Sequence, residues 1–253
     1  AVQVPWLSKT YLKALFMSKY LLTLVIVAAG SFSQAYTQPT NGKQSFAFWQ
    51  DSLKVLRSQM SSRSIAEPER YNANYAFIKT LVHALKIPQS FKFGFDSLKT
   101  ISITHSGDAK FRFFTWNIAN NDGTYRYYGT IQMNSSDGKL KLFPLVDYTP
   151  SISKPSDTIT TNDQWYGAQY YQIIPVTQNT ADPYYILLGW KGNTNKSTKK
   201  VIEILSFKDG KAYFGRSVFD GAADFINKKR VIFEYNSKVS MMLRHLADKN
   251  MIV

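Results

Sequence analysis

The period of apolar positions changes once along the chain, and the change separates a helical part from a strand-forming part. Phe46, Trp49, Leu53, Leu56 and Met60 recur at spacings of three and four, which predicts a helix with one apolar face. Ser/Arg-rich residues 61–66 interrupt it. A second helix is expected to open at Pro68, with Glu67 and Glu69 near the positive end of its dipole. Its predicted inner face is Tyr71, Tyr75, Ile78, Val82 and Leu85, and Pro88 closes it.

From Phe91 the period falls to two. Turn signals follow at Ser106-Gly107-Asp108, Asn121-Asp122-Gly123, Ser136-Asp137-Gly138, the loop 192–197 and Lys208-Asp209-Gly210; Asp-Gly pairs and their kin favour hairpins. If Gly107-Asp108, Asp122-Gly123 and Asp137-Gly138 are two-residue loops, Ile101 faces Phe114 and Ile103 faces Arg112. Trp116 then faces Gly129, Ile118 faces Tyr127, Phe114 faces Ile131 and Met133 faces Leu142. The apolar residues fall on one face, which predicts a four-strand meander, since a one-residue slip would invert a strand.

Residues 147–163, rich in Ser, Thr, Pro and Asp, read as a long surface loop or a seam between sheet halves. A second strand set is expected over 165–176, 184–190, 200–207, 212–219 and 230–235, with another hairpin starting in 241–246 and 251–253. The fold class is mainly β (α+β): antiparallel meander sheets, barrel-like or in two packed halves, under a short N-terminal helical cap. The expected domain is 36–253, with its helices in 45–87.

Upstream, the pattern is that of an export signal. Met17 and Lys19 precede the uncharged run LLTLVIVAA at 21–29, and Ser33-Gln34-Ala35 offers small residues for cleavage. The apolar core is half the roughly 20 residues a membrane span needs. Residues 1–35 are therefore expected to be an upstream extension plus a cleaved signal, leaving no integral span. The apolar ending Met251-Ile252-Val253 suggests a chain that continues into further strands.

Composition sharpens this. There is no cysteine, which removes disulfides and thiol chemistry and suits a bacterial periplasm or surface. Removing the three lysines of residues 1–35 from the formal +14 leaves +11. For an exported protein, that charge points to anionic envelope polymers or lipid headgroups rather than nucleic acid, or simply to solubility.

Chemical motifs are few. His83, His105 and His245 lie far apart, without metal-ligand spacing. Residues 189–198 superficially resemble a phosphate loop but lack the Gly-Lys-Ser/Thr ending. Of thirteen Asp, those at 108, 122, 137 and 209 serve turns. Glu203 would face Arg216 across a two-residue Asp209-Gly210 turn as an ion pair. No cofactor is expected, no catalytic set emerges, and enzymatic activity is disfavoured.

What remains is aromatic and basic surface. Tyr127-Tyr128, Tyr170-Tyr171 and Tyr184-Tyr185 each send one ring to either sheet face. The meander's second face reads Phe113, Thr115, Asn117, Arg126, Tyr128, Thr130 and Gln132, either an ordinary solvated face or a binding face for sugar or peptide. Thr115, Asn117, Arg126, Tyr128 and Gln132 are the candidate ligand residues there, with His105 and Arg112 as a basic rim beside Lys110. The loop 191–200, with four lysines and no acid, could meet phosphate-bearing envelope glycans.

The segments FFTWNI (113–118), DGTYRYYGTIQM (122–133), WYGAQYYQIIP (165–175), YYILLGWKG (184–192) and RVIFEY (230–235) resemble a family of exported proteins of Bacteroidota with no assigned activity. The resemblance runs from about Ser45 onward and implies a cell-envelope setting, periplasmic or outer-membrane-associated, without supplying a site. The expected function is a non-catalytic binding or assembly-accessory module whose partner is an envelope glycan, a peptide or another envelope protein. A periplasmic hydrolase acting on glycan or peptide is the alternative.

Overall fold

The computed structural model describes residues 42–176, 182–220 and 223–253; the export signal expected at 17–35 lies outside them. Helices α1 (Gly42–Ser61) and α2 (Glu67–Leu85) come first. Strands β1 (Ser102–His105), β2 (Phe111–Ala119), β3 (Tyr125–Met133) and β4 (Leu142–Val146) then form an antiparallel sheet in chain order. A six-stranded sheet follows, in the order β5 (Thr160–Thr161), β9 (Lys211–Phe214), β8 (Ser197–Lys208), β7 (Tyr184–Gly192), β6 (Gln169–Val176). Strand β10 (Arg230–Asn236) also pairs with β8, and β11 (His245–Leu246) with β12 (Met251–Ile252) forms a small hairpin. The chain is mainly β under a helical cap, and the two sheets do not close into a barrel.

Two cores share the first sheet. Between the sheets lie Phe111, Phe113, Tyr127, Ile131, Phe143 and Leu145, packed against Trp165, Tyr170, Ile173, Tyr185, Leu187, Leu205 and Phe214. On the opposite side Phe114 and Trp116 meet Leu53, Met60, Phe77, Leu81 and Leu85 of the helices. Residues 113 to 116 of β2 are all buried as a result, and the second face, expected to meet solvent or ligand, is divided: its β2 residues Phe113, Thr115 and Asn117 lie against the second sheet, and its β3 residues turn toward the helices. The segment 147–163 is the seam: it carries the chain from one sheet to the other, with a parallel bridge between Asp147 and Trp165.

The register departs from the two-residue-loop expectation. Ala119 pairs with Tyr125, so the β2–β3 connection is Asn120 to Thr124, closed by Asn120 N–H donating to Thr124 O (2.8 Å). Trp116 therefore faces Tyr128, and Gly129 faces Thr115. Strand β4 shifts by one as well, with Gln132 opposite Leu142. Each odd shift turns the side chains over. Tyr127 and Ile131 join the inter-sheet core, while Tyr128, Thr130 and Gln132 turn toward the helices. The β1–β2 pairing shifts by two, Ile103 to Phe114 and His105 to Arg112, which preserves the face.

The buried stripe of α2 also differs from expectation. It is Arg70, Ala73, Asn74, Phe77, Leu81, Ala84 and Leu85, whereas Tyr75 is 62% exposed. Two polar residues belong to it because β2 and its loop satisfy them. Trp116 Nε1 donates to Asn74 Oδ1 (2.7 Å), and Arg70 donates to Ala119 O (2.6 Å) and Asn121 Oδ1 (2.7 Å).

Strands β8 and β9 turn at Asp209-Gly210 in the expected register, Leu205 opposite Phe214. Arg216 nevertheless does not reach Glu203. At Gly215 the backbone takes φ +100°, which glycine alone adopts without strain, and the chain leaves the sheet. Arg230 of β10 takes that place, its Nε 2.5 Å from Glu203 Oε1, and Arg216 pairs with Asp182 at 3.0 Å.

Candidate functional site

The residues proposed from sequence separate into three places. Arg112, fully buried, donates from Nε to Gln132 Oε1 (2.9 Å) and from its two terminal nitrogens to Phe93 O (2.6 Å) and Ser90 O (2.8 Å). Gln132 in turn donates to Ser90 Oγ (2.8 Å). These two side chains tie the segment after α2 onto the first sheet. Burial lowers the Arg112 pKa to about 10, and three good acceptors keep the guanidinium charged. His105 sits at the solvent-facing end of β1, edge-on to Phe91, with its pKa lowered by partial desolvation of the ring and by the Arg112 charge.

Thr115 and Asn117 instead point at β6. Tyr170 N–H donates to Thr115 Oγ1 (3.3 Å), and Asn117 Nδ2 donates to Gln169 Oε1 (2.7 Å), so both pin β2 to β6, the edge strand of the second sheet. Arg126 and Tyr128 lie on the helix side, Tyr128 stacked on Trp116 with centroids 6.1 Å apart. Burial pushes the Tyr128 hydroxyl up to about 12. No single surface unites the seven.

The buried carboxylates are likewise internal braces. Glu203 is held by Arg230 and by the Tyr170 hydroxyl, which also accepts from Trp165 Nε1 (2.9 Å). Asp147 accepts from Tyr127 N–H (2.9 Å) and from Thr149 N–H (3.0 Å). Among the described residues no group of three or more His, Asp or Glu could hold a metal ion.

An open groove of roughly 620 Å³ lies elsewhere, where the outer face of the second sheet meets the start of β3. Strand alternation places Trp190 of β7 beside Lys200 of β8, and Thr198 of β8 beside Tyr235 of β10, all pointing outward. Tyr125 reaches in from the first sheet and stands edge-on to Trp190, 5.8 Å between centroids. Its approach depends on Gly192: a Cβ there would lie 2.6 Å from the Tyr125 ring. Thr194, Asn195, Ser237, Val239, Ser240, Met241 and Arg63 complete the lining, and among the described lining residues there is no carboxylate.

The β7–β8 loop at the groove's end is held in shape. Asn193 and Ser197 side chains both donate to Glu234 Oε1 (3.0 and 2.6 Å), and Ser237 Oγ donates to Asn195 O (2.8 Å). The hydrogen bond from Ser197 keeps the Glu234 carboxyl below its usual range. Lys199 pairs with the same carboxylate at 3.5 Å.

The lysine-rich loop thus divides. Lys191 turns inward and is 2% exposed, Lys199 is paired, and Lys200 lines the groove. A signal for the groove did exist in the sequence. Trp190 and Lys200 share parity across the four-residue turn 193–196, but assigning the outward face requires the two-sheet arrangement.

Geometrically, the groove offers aromatic walls with hydroxyl, amide and cationic groups around them, held on a rigid sheet. The fold and this site define a helix-capped double-sheet protein with an open aromatic groove. No family model, curated protein or solved structure matches the chain. No helix among the described residues is long and apolar enough to cross a membrane.

Proposed function

We propose that this is an exported cell-envelope protein acting as a non-catalytic binding module, with a glycan as the ligand of the Trp190 groove. The observation that carries the reading is the convergence of Trp190, Tyr125 and Tyr235 on one open, polar-rimmed surface. A flat ring stacks against the apolar face of a pyranose while nearby amides and hydroxyls fix its orientation. The export-type segment at 17–35 and the basic charge support an envelope setting. The resemblance to exported Bacteroidota proteins agrees with it.

The test is retention on the insoluble polysaccharide fraction of a bacterial envelope. Trp190→Ala is expected to weaken it about tenfold or more, a loss of about 1.4 kcal/mol, with the protein still folded by far-UV circular dichroism. Arg126→Ala, whose side chain lies outside the groove lining on the helix side, should leave retention as it was. Equal retention of Trp190→Ala and the parent protein would sink the reading.

A further inference from the structure

The groove also carries a charge pattern that stacking alone does not use. Lys200 and Arg63 both line it, and neither takes part in an ion pair among the described residues. The adjacent Lys199, by contrast, is paired with Glu234. The Lys200 ammonium instead rests 4.5 Å from the centre of the Tyr171 ring, whose hydroxyl is occupied in donating to Leu243 O (2.8 Å). Burial without a compensating anion lowers the Lys200 pKa. A partly desolvated ammonium gains more from an incoming anion than a fully hydrated one, through a charge-assisted hydrogen bond.

Resting on the glycan reading, we infer that the groove selects an anionic saccharide. A sugar ring lies against Trp190, its carboxylate or phosphate reaches Lys200, and Arg63 attracts further charge at the rim. Trp190 and Lys200 are cross-strand partners, so the stacking ring and the cation rise from adjacent strands on the same outward face. The groove volume, roughly 620 Å³, falls within the range of small-ligand sites.

The experiment is calorimetric titration of the protein with matched probes at low and moderate salt. Tetragalacturonate is compared with its methyl ester, phosphorylated mannotetraose with mannotetraose, and inorganic phosphate is titrated alone. The anionic member of at least one pair is expected to bind about tenfold tighter than its neutral partner, with the preference shrinking as salt rises. Whichever pair shows it identifies the anion as uronate or phosphate. Lys200→Gln combined with Arg63→Gln should bring the preference to parity while neutral binding persists, and Lys200→Arg should retain it. A thermal melt checks each variant's fold.

Equal affinity for neutral and charged members, both lost in Trp190→Ala, would overturn the inference and leave the glycan reading standing. Inorganic phosphate binding as tightly as the phosphorylated sugar would overturn it too, reducing the site to an ion contact. Binding of none of the saccharides would overturn both.

Discussion

Lys191 shows how far a single position can be from its apparent role. In sequence it opens a run of four lysines; in the structure its ammonium donates to Thr149 Oγ1 (3.0 Å), Tyr166 O (2.8 Å) and Gly167 O (2.7 Å). It lies between the rings of Tyr127 and Tyr166, 4.2 and 4.5 Å from their centres. Burial pulls its pKa down to about 7; Asp147 and Glu203 act against the shift, while Lys199 and Arg230 reinforce it. An unfolded lysine titrates near 10.5, so between about 7 and 10 the unfolded chain binds more protons than the folded one. Stability from this group must then rise with pH across that window, by up to about 1.4 kcal/mol per pH unit. Urea midpoints measured from pH 7 to pH 9 should increase, and Lys191→Met should flatten the increase. Stopping at pH 9 avoids the tyrosines, whose raised pKa values give the opposite slope above 10. A falling wild-type curve with no change in the variant would refute the assignment.

At the scale of elements, the first turn of α2 holds the β2–β3 loop. Asn121 N–H donates to Glu67 Oε2 (2.6 Å), Tyr71 donates to Asn120 Oδ1 (2.7 Å), and Arg70 reaches Ala119 and Asn121. Arg70→Leu should therefore accelerate amide deuterium exchange in 119–124 while leaving β6–β8 protected; uniform exchange changes would contradict a local clamp. This clamp also explains what the sequence pattern missed. Alternation located all four strands of the first sheet and the Asp-Gly signals marked their ends. The five-residue span at 120–124 is stabilised by contacts 50 residues away in sequence, which no local turn rule contains. Its odd length moved Tyr127 into the inter-sheet core and Tyr128 under the helices. Arg70 and Asn74 were likewise invisible as inner-face residues, because hydrophobic periodicity counts a polar side chain as outward even when a distant loop satisfies it.

Across the whole molecule, the sheet β1–β4 is buried on both faces, and this sets both what the sequence could reveal and how the protein should unfold. A one-sided meander was the natural reading of its alternation, so the polar second face looked available for ligand; instead the second sheet covers its β2 residues and the register shift turns its β3 residues toward the helices. The aromatic groove emerged on a face defined only once that packing was known. The same double burial couples the layers. Phe77 is fully buried beneath the helices, 5.0 Å from the Trp116 ring, and Phe113, from the same strand, packs on Tyr170 at 5.1 Å. Removing the helical layer would leave Phe114 and Trp116 facing water, at a cost of roughly 1.5–3 kcal/mol each, so the helices are not expected to melt alone. Phe77→Ala should destabilise by about 3–5 kcal/mol. Its loss should shift the helical circular dichroism signal and the tryptophan fluorescence transition by the same amount in denaturant. Coincident curves in both proteins are the signature of one cooperative unit. An early helical transition in the variant, with fluorescence unmoved, would show that the cap folds independently of the sheets.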